Sequence, residues 1–147
     1  MLLTPNALWL IAAMLLQGAL ALGLLWVLGS IRIPLITRGA VRIENIAVDR
    51  AGWPQHEHKV SNAFDNQFQL PVLFYLACFI AMAFGATLLE VILAFAFVAT
   101  RYVHAFIHVT TNNVVRRFAA YTAGLVVLCV FWVDLLVRLL LVATGVN

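Results

Sequence analysis

The stretch NQFQLPVLFYLACFIAMAFGATLL, residues 66–89, carries no charged side chain and is apolar over most of its length. A helix of about 20 such residues crosses a hydrocarbon layer of about 30 Å, so the segment reads as a membrane span. Residues 1–31 form another uncharged run. That run lacks a basic n-region and is longer than the roughly 7–15-residue apolar core of a signal peptide, so it is expected to remain as the first span. Of the 147 residues 65% are hydrophobic and 10% charged, and the mean hydropathy is +1.03. These values exclude a soluble globular fold. A mass of 16.2 kDa leaves room for one domain of a few spans, so any chemistry belongs inside the helix bundle or at its edge.

Working outward, the sequence predicts a single domain, residues 1–147, with helices at about 8–31, 66–84, 88–109 and 117–142. Between the first two lies a polar loop, residues 32–65, with Arg32, Arg38, Arg42, Arg50 and Lys59 set among Glu44, Asp49, Glu57 and Asp65. The other connections are the turn Gly85, Ala86, Thr87 and the polar run 110–116. Short connections between successive spans suit an antiparallel four-helix bundle. Seven of the nine basic residues fall on the side of the 32–65 loop and the 110–116 connection. The positive-inside rule places both in the cytoplasm and both termini outside. The net charge of +3 therefore speaks to orientation rather than to nucleic acid. Cys78 and Cys129 lie within apolar runs and imply no disulfide.

Charged groups inside a span are costly and tend to be functional. Here they are Glu90, Arg101, Asp134 and Arg138, joined by His104 and His108. At 100° per residue, Arg101, His104 and His108 share one face of the third helix. Asn62, Asp65, Asn66 and Gln69 form a stripe at the start of the second, and Arg117, Tyr121 and Gly124 one at the start of the fourth. Topology brings all three stripes to one membrane side. Two of these helix ends are N-termini, which favour an anion. With Arg101, Arg116 or Arg117, and Arg32 or Arg38, they predict a cationic pocket walled by apolar helices. Simpler readings stand beside this one. Basic residues at helix ends also serve as positive-inside anchors, Arg116 above all, and Asp134 and Arg138 at i, i+4 read as a structural ion pair. His104 and His108 could hold zinc with His56, Glu57 or His58, but no third ligand shares their face, which favours polar packing. A proton relay through Glu90, Arg101 and the histidines would suit a transporter, yet no inverted repeat is present.

The segment NQFQLPVLFY, residues 66–75, and RYVHAFIH, residues 101–108, followed by Arg116, Arg117 and Tyr121, resemble the second-helix and the third-to-fourth-helix signatures of bacterial MAPEG proteins, the membrane-associated proteins in eicosanoid and glutathione metabolism. The resemblance covers nearly the whole chain. It implies a homotrimer in a bacterial inner membrane, with glutathione bound as co-substrate between subunits on the cytoplasmic side. By the same resemblance Asn66 and Gln69 contact the tripeptide, Arg101, His104 and His108 line or support the site, Arg117 beside Arg116 stabilises the thiolate, and Tyr121 touches the ligand. Arg32 matches the first-helix arginine. The implied function is a glutathione-dependent transferase or peroxidase acting on lipophilic electrophiles or lipid hydroperoxides. The alternative is a non-catalytic lipid-binding or scaffold protein of the same fold. Gln69 stands where many relatives carry a carboxylate, and Asp65, one turn earlier, would compensate if it reached inward.

Overall fold

The computed structural model describes residues 4–47 and 50–145; Asp49 of the polar loop lies outside the described residues. They form α1 (Pro5–Thr37), a short α2 (Ile43–Ile46), α3 (Gln55–Asp65), α4 (Leu70–Phe84), α5 (Leu88–Val109) and α6 (Val114–Thr144), with no strand among them. One-turn 3-10 helices sit at Arg50–Gly52 and Asn66–Phe68. Four stretches are long and apolar enough to cross a membrane: α1, Gln55–Phe84, α5 and α6. The chain is thus an all-helical, multi-pass integral membrane protein.

The third span matches its expected bounds because the sequence marks them. The Thr87 side chain accepts from the Glu90 N–H while the Glu90 carboxylate accepts from the Thr87 N–H, a reciprocal cap. The other spans are longer than expected. In α1, Thr4 Oγ1 accepts from the Ala7 N–H and Pro5 occupies the first turn, where its missing N–H costs nothing. Its 33 residues, at about 1.5 Å each, reach about 50 Å. The helix passes Arg32 instead of stopping there, because Glu57 pairs with that guanidinium. Much of the expected 32–65 loop is therefore helix, in α3 and the end of α1. At α6, Asn113 Oδ1 accepts from the Arg116 N–H and starts the helix three residues early.

The bundle has a turn end and a loop end. At the turn end Asn6 donates to the Ala86 carbonyl at 3.0 Å, bringing the start of α1 to the α4–α5 turn. Arg138 of α6 donates to Glu90 and to the carbonyls of Phe84 and Gly85. The expected Asp134–Arg138 ion pair is thereby corrected. Arg138 sets its charge against the C-terminus of α4 and the fully buried Glu90 together, and Asp134 Oδ2 is left without a partner. Glu90 is accordingly a cap and an ion-pair partner rather than a link in a relay. At the loop end Lys59 of α3 donates to the Thr110 carbonyl beyond α5.

The larger apolar cluster holds Leu10, Ala13, Phe74, Phe97, Leu128 and Phe131, with the rings of Phe74 and Phe97 stacked at 4.8 Å. A smaller cluster at the loop end joins Leu24, Ala63 and Ala105. On both α1 and α5 buried polar residues separate the two clusters: Gln17 on the first, Arg101 and His104 on the second. α5 and α6 meet closely at Gly124, where a Cβ would lie 2.6 Å from Thr100 Oγ1.

Two stability predictions follow from these contacts. Arg138→Ala leaves Glu90 buried and unpaired and is expected to cost about 3–5 kcal/mol; Arg138→Met with Glu90→Gln should lose less, as read from unfolding titrations in detergent. Gly124→Ala is expected to cost about 1–3 kcal/mol through overpacking, and adding Thr100→Ala should restore most of it. An unchanged Gly124→Ala melting profile would show that the helices do not meet there.

Candidate functional site

The site is assembled where α5 ends and α6 begins. Asn112 adopts a left-handed conformation, φ 50°, which asparagine tolerates better than most residues, and it reverses the chain between the two helices. The reversal places Arg117, in the first turn of α6, against the last two turns of α5. The Arg117 main-chain carbonyl lies 3.1 Å from His104 Nδ1, and its guanidinium Nη1 lies 3.1 Å from His108 Nε2 and 2.6 Å from Asn112 Oδ1. The ring of Tyr121, one turn further along α6, sits 5.8 Å from the His104 ring and 5.6 Å from the Arg101 guanidinium carbon. These contacts enclose a cavity of about 270 Å³ bordered by Asn66, His104, His108, Arg117, Phe118 and Tyr121.

Arg101 is the least ordinary residue in the chain. It is fully buried, eight residues before the end of α5, and none of its three guanidinium nitrogens has a hydrogen-bond partner. His104 Nε2 and His108 Nδ1 are likewise buried without a partner. A buried charge with neither counter-ion nor hydrogen bond costs several kcal/mol. The described acids at the loop end are taken: Glu57 by Arg32 at 2.5 Å, Asp65 by Arg50 at 2.5 Å and Glu44 by Arg42 at 3.5 Å. Among the described residues no carboxylate pairs with Arg101 or Arg117, so the cavity and the layer behind it have a positive excess.

Of the residues singled out in the sequence, Asn66, His104, His108, Arg117 and Tyr121 line one cavity, and Arg101 packs against Tyr121. Four others do not join them. Arg32 is held by Glu57, donates to Ser61 at 3.4 Å and lies over the Trp53 ring at 5.0 Å. Asp65 does not reach inward: it accepts from Arg50, whose guanidinium it raises in pKa by that hydrogen bond and its charge. Arg116 is exposed, and its side chain makes no ion pair or hydrogen bond among the described residues. Gln69 is exposed as well, because the second-helix stripe breaks. Pro71 disfavours α-helix just before it; the chain takes a 3-10 turn at Asn66–Phe68 and Gln69 adopts φ −105°, ψ −106°. The break turns Gln67 inward instead of Gln69. Gln67 donates to the Ala63 carbonyl and accepts from Gln17, both at 2.9 Å.

Gln17, Gln67, Asn112 and the cavity-lining Val114 and Phe118 are site-region residues that the sequence reading missed. A lone glutamine inside the apolar run 8–31 and an Asn-Asn pair ahead of a helix were the available signals. The zinc reading finds no support in geometry: among the described residues no three His, Cys, Asp or Glu side chains come together.

The family model described as the MAPEG family matches residues 7–137. No curated protein and no solved structure matches the chain. Four apolar spans, a shared cavity for the third- and fourth-helix motif residues and a family match over most of the length agree: the chain belongs to the MAPEG family.

Proposed function

We propose that the chain is a glutathione-dependent transferase or peroxidase, in a family that includes such enzymes, and that its loop-end cavity holds the tripeptide with its sulfur beside Arg117. The observation that carries this reading is Arg101, a buried guanidinium with three unpartnered nitrogens packed behind Tyr121, which borders the cavity that Arg117 lines. Such a place calls for an anion, and a tripeptide with two carboxylates supplies one. A free thiol has a pKa of about 8.5 and is mostly protonated at neutral pH; a guanidinium beside it raises the thiolate fraction. Arginine suits the task because it stays charged when partly desolvated. The thiolate then gives its electron pair to an electrophilic carbon and a leaving group departs, or it attacks the outer oxygen of a lipid hydroperoxide, breaking the O–O bond to release the lipid alcohol, and a second glutathione converts the resulting sulfenic acid to the disulfide and water. The positive side of the bundle faces the cytoplasm in this reading, where glutathione is met, and the lipophilic partner arrives through the bilayer. A homotrimer with the site completed between neighbours is the assembly the family resemblance implies.

A second reading has its own observation. An apolar groove of about 570 Å³ runs between α1 and α4, lined by Met14, Gly18, Leu22, Tyr75, Phe79 and Met82 among others. It suits an acyl chain, and a non-catalytic lipid-binding protein would need nothing more.

Conjugation of glutathione to 1-chloro-2,4-dinitrobenzene by detergent-solubilised protein separates the two. Turnover is expected in the wild type, with a loss on the order of 10²-fold and disappearance of the thiolate absorbance in Arg117→Ala. Arg116→Ala, at an exposed position outside the cavity, should stay within about twofold. No turnover over a broad panel of electrophiles and peroxides, with lipid co-purifying in the groove, would replace the first reading by the second.

A further inference from the structure

Among the described residues that border the loop-end cavity, Asn66 alone comes from the second span; the others belong to α5 and α6. That wall stands on an interrupted piece of helix. A 3-10 turn breaks the span at Asn66–Phe68, and irregular backbone at membrane depth is tolerated only where its polar groups find partners. Two side chains of the turn repair the end of α3: Asn66 Nδ2 donates to the Asn62 carbonyl at 2.8 Å, and Gln67 Nε2 donates to the Ala63 carbonyl at 2.9 Å. Asn66 is half-buried and borders the cavity, whereas Gln67 points into the bundle and is buried.

What holds Gln67 is Gln17. Its Nε2 donates to Gln67 Oε1 at 2.9 Å from a buried position in the middle of α1, while its own Oε1 has no partner. A buried amide with one polar atom unpaired is costly, and leucine would fill that place at less cost, so packing alone does not account for a glutamine there. The carbonyl of the preceding Leu16 accepts from the Tyr102 hydroxyl at 2.9 Å, which fixes this turn of α1 against α5. A line of contacts thus runs from the α5 wall of the cavity through Tyr102, Leu16, Gln17 and Gln67 to Asn66. The other side-chain bonds that tie α3 to α1 and to the end of α5 come from Glu57, Lys59 and Ser61, more than one turn before Asn66. We infer that Gln17 is a positioning residue for the cavity: by holding Gln67 it fixes the 3-10 turn, and with it the place of Asn66 relative to His108 and Arg117. Gln17 does not border the cavity and acts only through Gln67. Its effect on turnover rests on the glutathione reading; its hold on the turn does not.

Hydrogen exchange of the full chain in nanodiscs, with no ligand added, reads the turn directly. Gln17→Met keeps the length of the side chain and removes the donor. It is expected to speed exchange at the amides of residues 66–70 by about tenfold and to leave those of residues 101–108 within about twofold. Unchanged exchange at 66–70, or the same rise in both segments, overturns the inference, the second being what general loosening gives. Should Gln17→Met not assemble, Gln17→Met with Gln67→Met, which leaves no side-chain amide unpaired at this contact, carries the same expectation. In the conjugation assay Gln17→Met is expected to raise the KM for glutathione about fivefold with kcat within about twofold. Added to Asn66→Ala it should change KM by no more than about twofold, because both variants lose the same placement. An unchanged KM, additive KM losses or a fall in kcat alone overturns the positioning role. If the wild type turns over no substrate, the glutathione reading falls, and exchange at 66–70 still decides whether Gln17 holds the turn.

Discussion

A charge placed deep in a bilayer must meet a counter-charge, water or a bound molecule, and the two deep arginines of this chain answer that demand in opposite ways. Arg138 is satisfied within the fold. It meets Glu90 and two main-chain carbonyls, so the turn end closes as a finished piece of architecture. Arg101 is buried more completely, fully enclosed where the Arg138 side chain is about one-fifth exposed, and among the described residues its guanidinium is met only by the face of Tyr121. The same physics that makes one end stable makes the other incomplete. An incomplete buried cation is tolerable only if the surrounding helices hold it in place, and the close approach of α5 and α6 at Gly124 does so.

The polar layer around Arg101 also explains why the core divides in two. Apolar packing runs unbroken from the turn end to Ala13 on α1 and Val98 on α5, then yields to Gln17, Arg101 and His104 before resuming at Leu24 and Ala105. Gln67, turned inward by the 3-10 break ahead of Pro71, closes the layer from the third side through its bond to Gln17. The loop end beyond is held by ion pairs, Arg32 with Glu57 and Arg50 with Asp65, so arginines that look available in the sequence are engaged in joining α1, the loop and α3.

Much of this was legible in the residues themselves. The first two spans follow from uncharged length and the last two from long apolar runs despite a few charges, the bounds of α5 from its flanking residues, and the grouping of Arg101, His104, His108, Arg117 and Tyr121 from helical periodicity and topology. Failures came where one local rule outweighed another. Periodicity put Gln69 on the stripe, but a proline two residues on breaks the helix and exposes it. The i, i+4 rule paired Asp134 with Arg138, but a helix C-terminus and a buried acid from another helix were the stronger attraction. A charge at Arg32 looked like the edge of the membrane, although a helix can pass that edge when a partner such as Glu57 waits beyond it. The Arg138 and Arg32 misses depended on contacts between segments distant in sequence, which no local pattern contains, whereas the Gln69 miss set one local signal against another.

The hydrogen bond between His104 and the Arg117 carbonyl engages the main chain, not a side chain. Any amino acid at position 117 presents that same oxygen, so the registry of α6 against α5 does not depend on what position 117 carries. The helix seam and the cavity-lining side chain are thereby separable at this residue. A lineage built on this seam can exchange the charge for a hydroxyl or an apolar group, and so change what the cavity presents, while the main-chain contact between α5 and α6 stays.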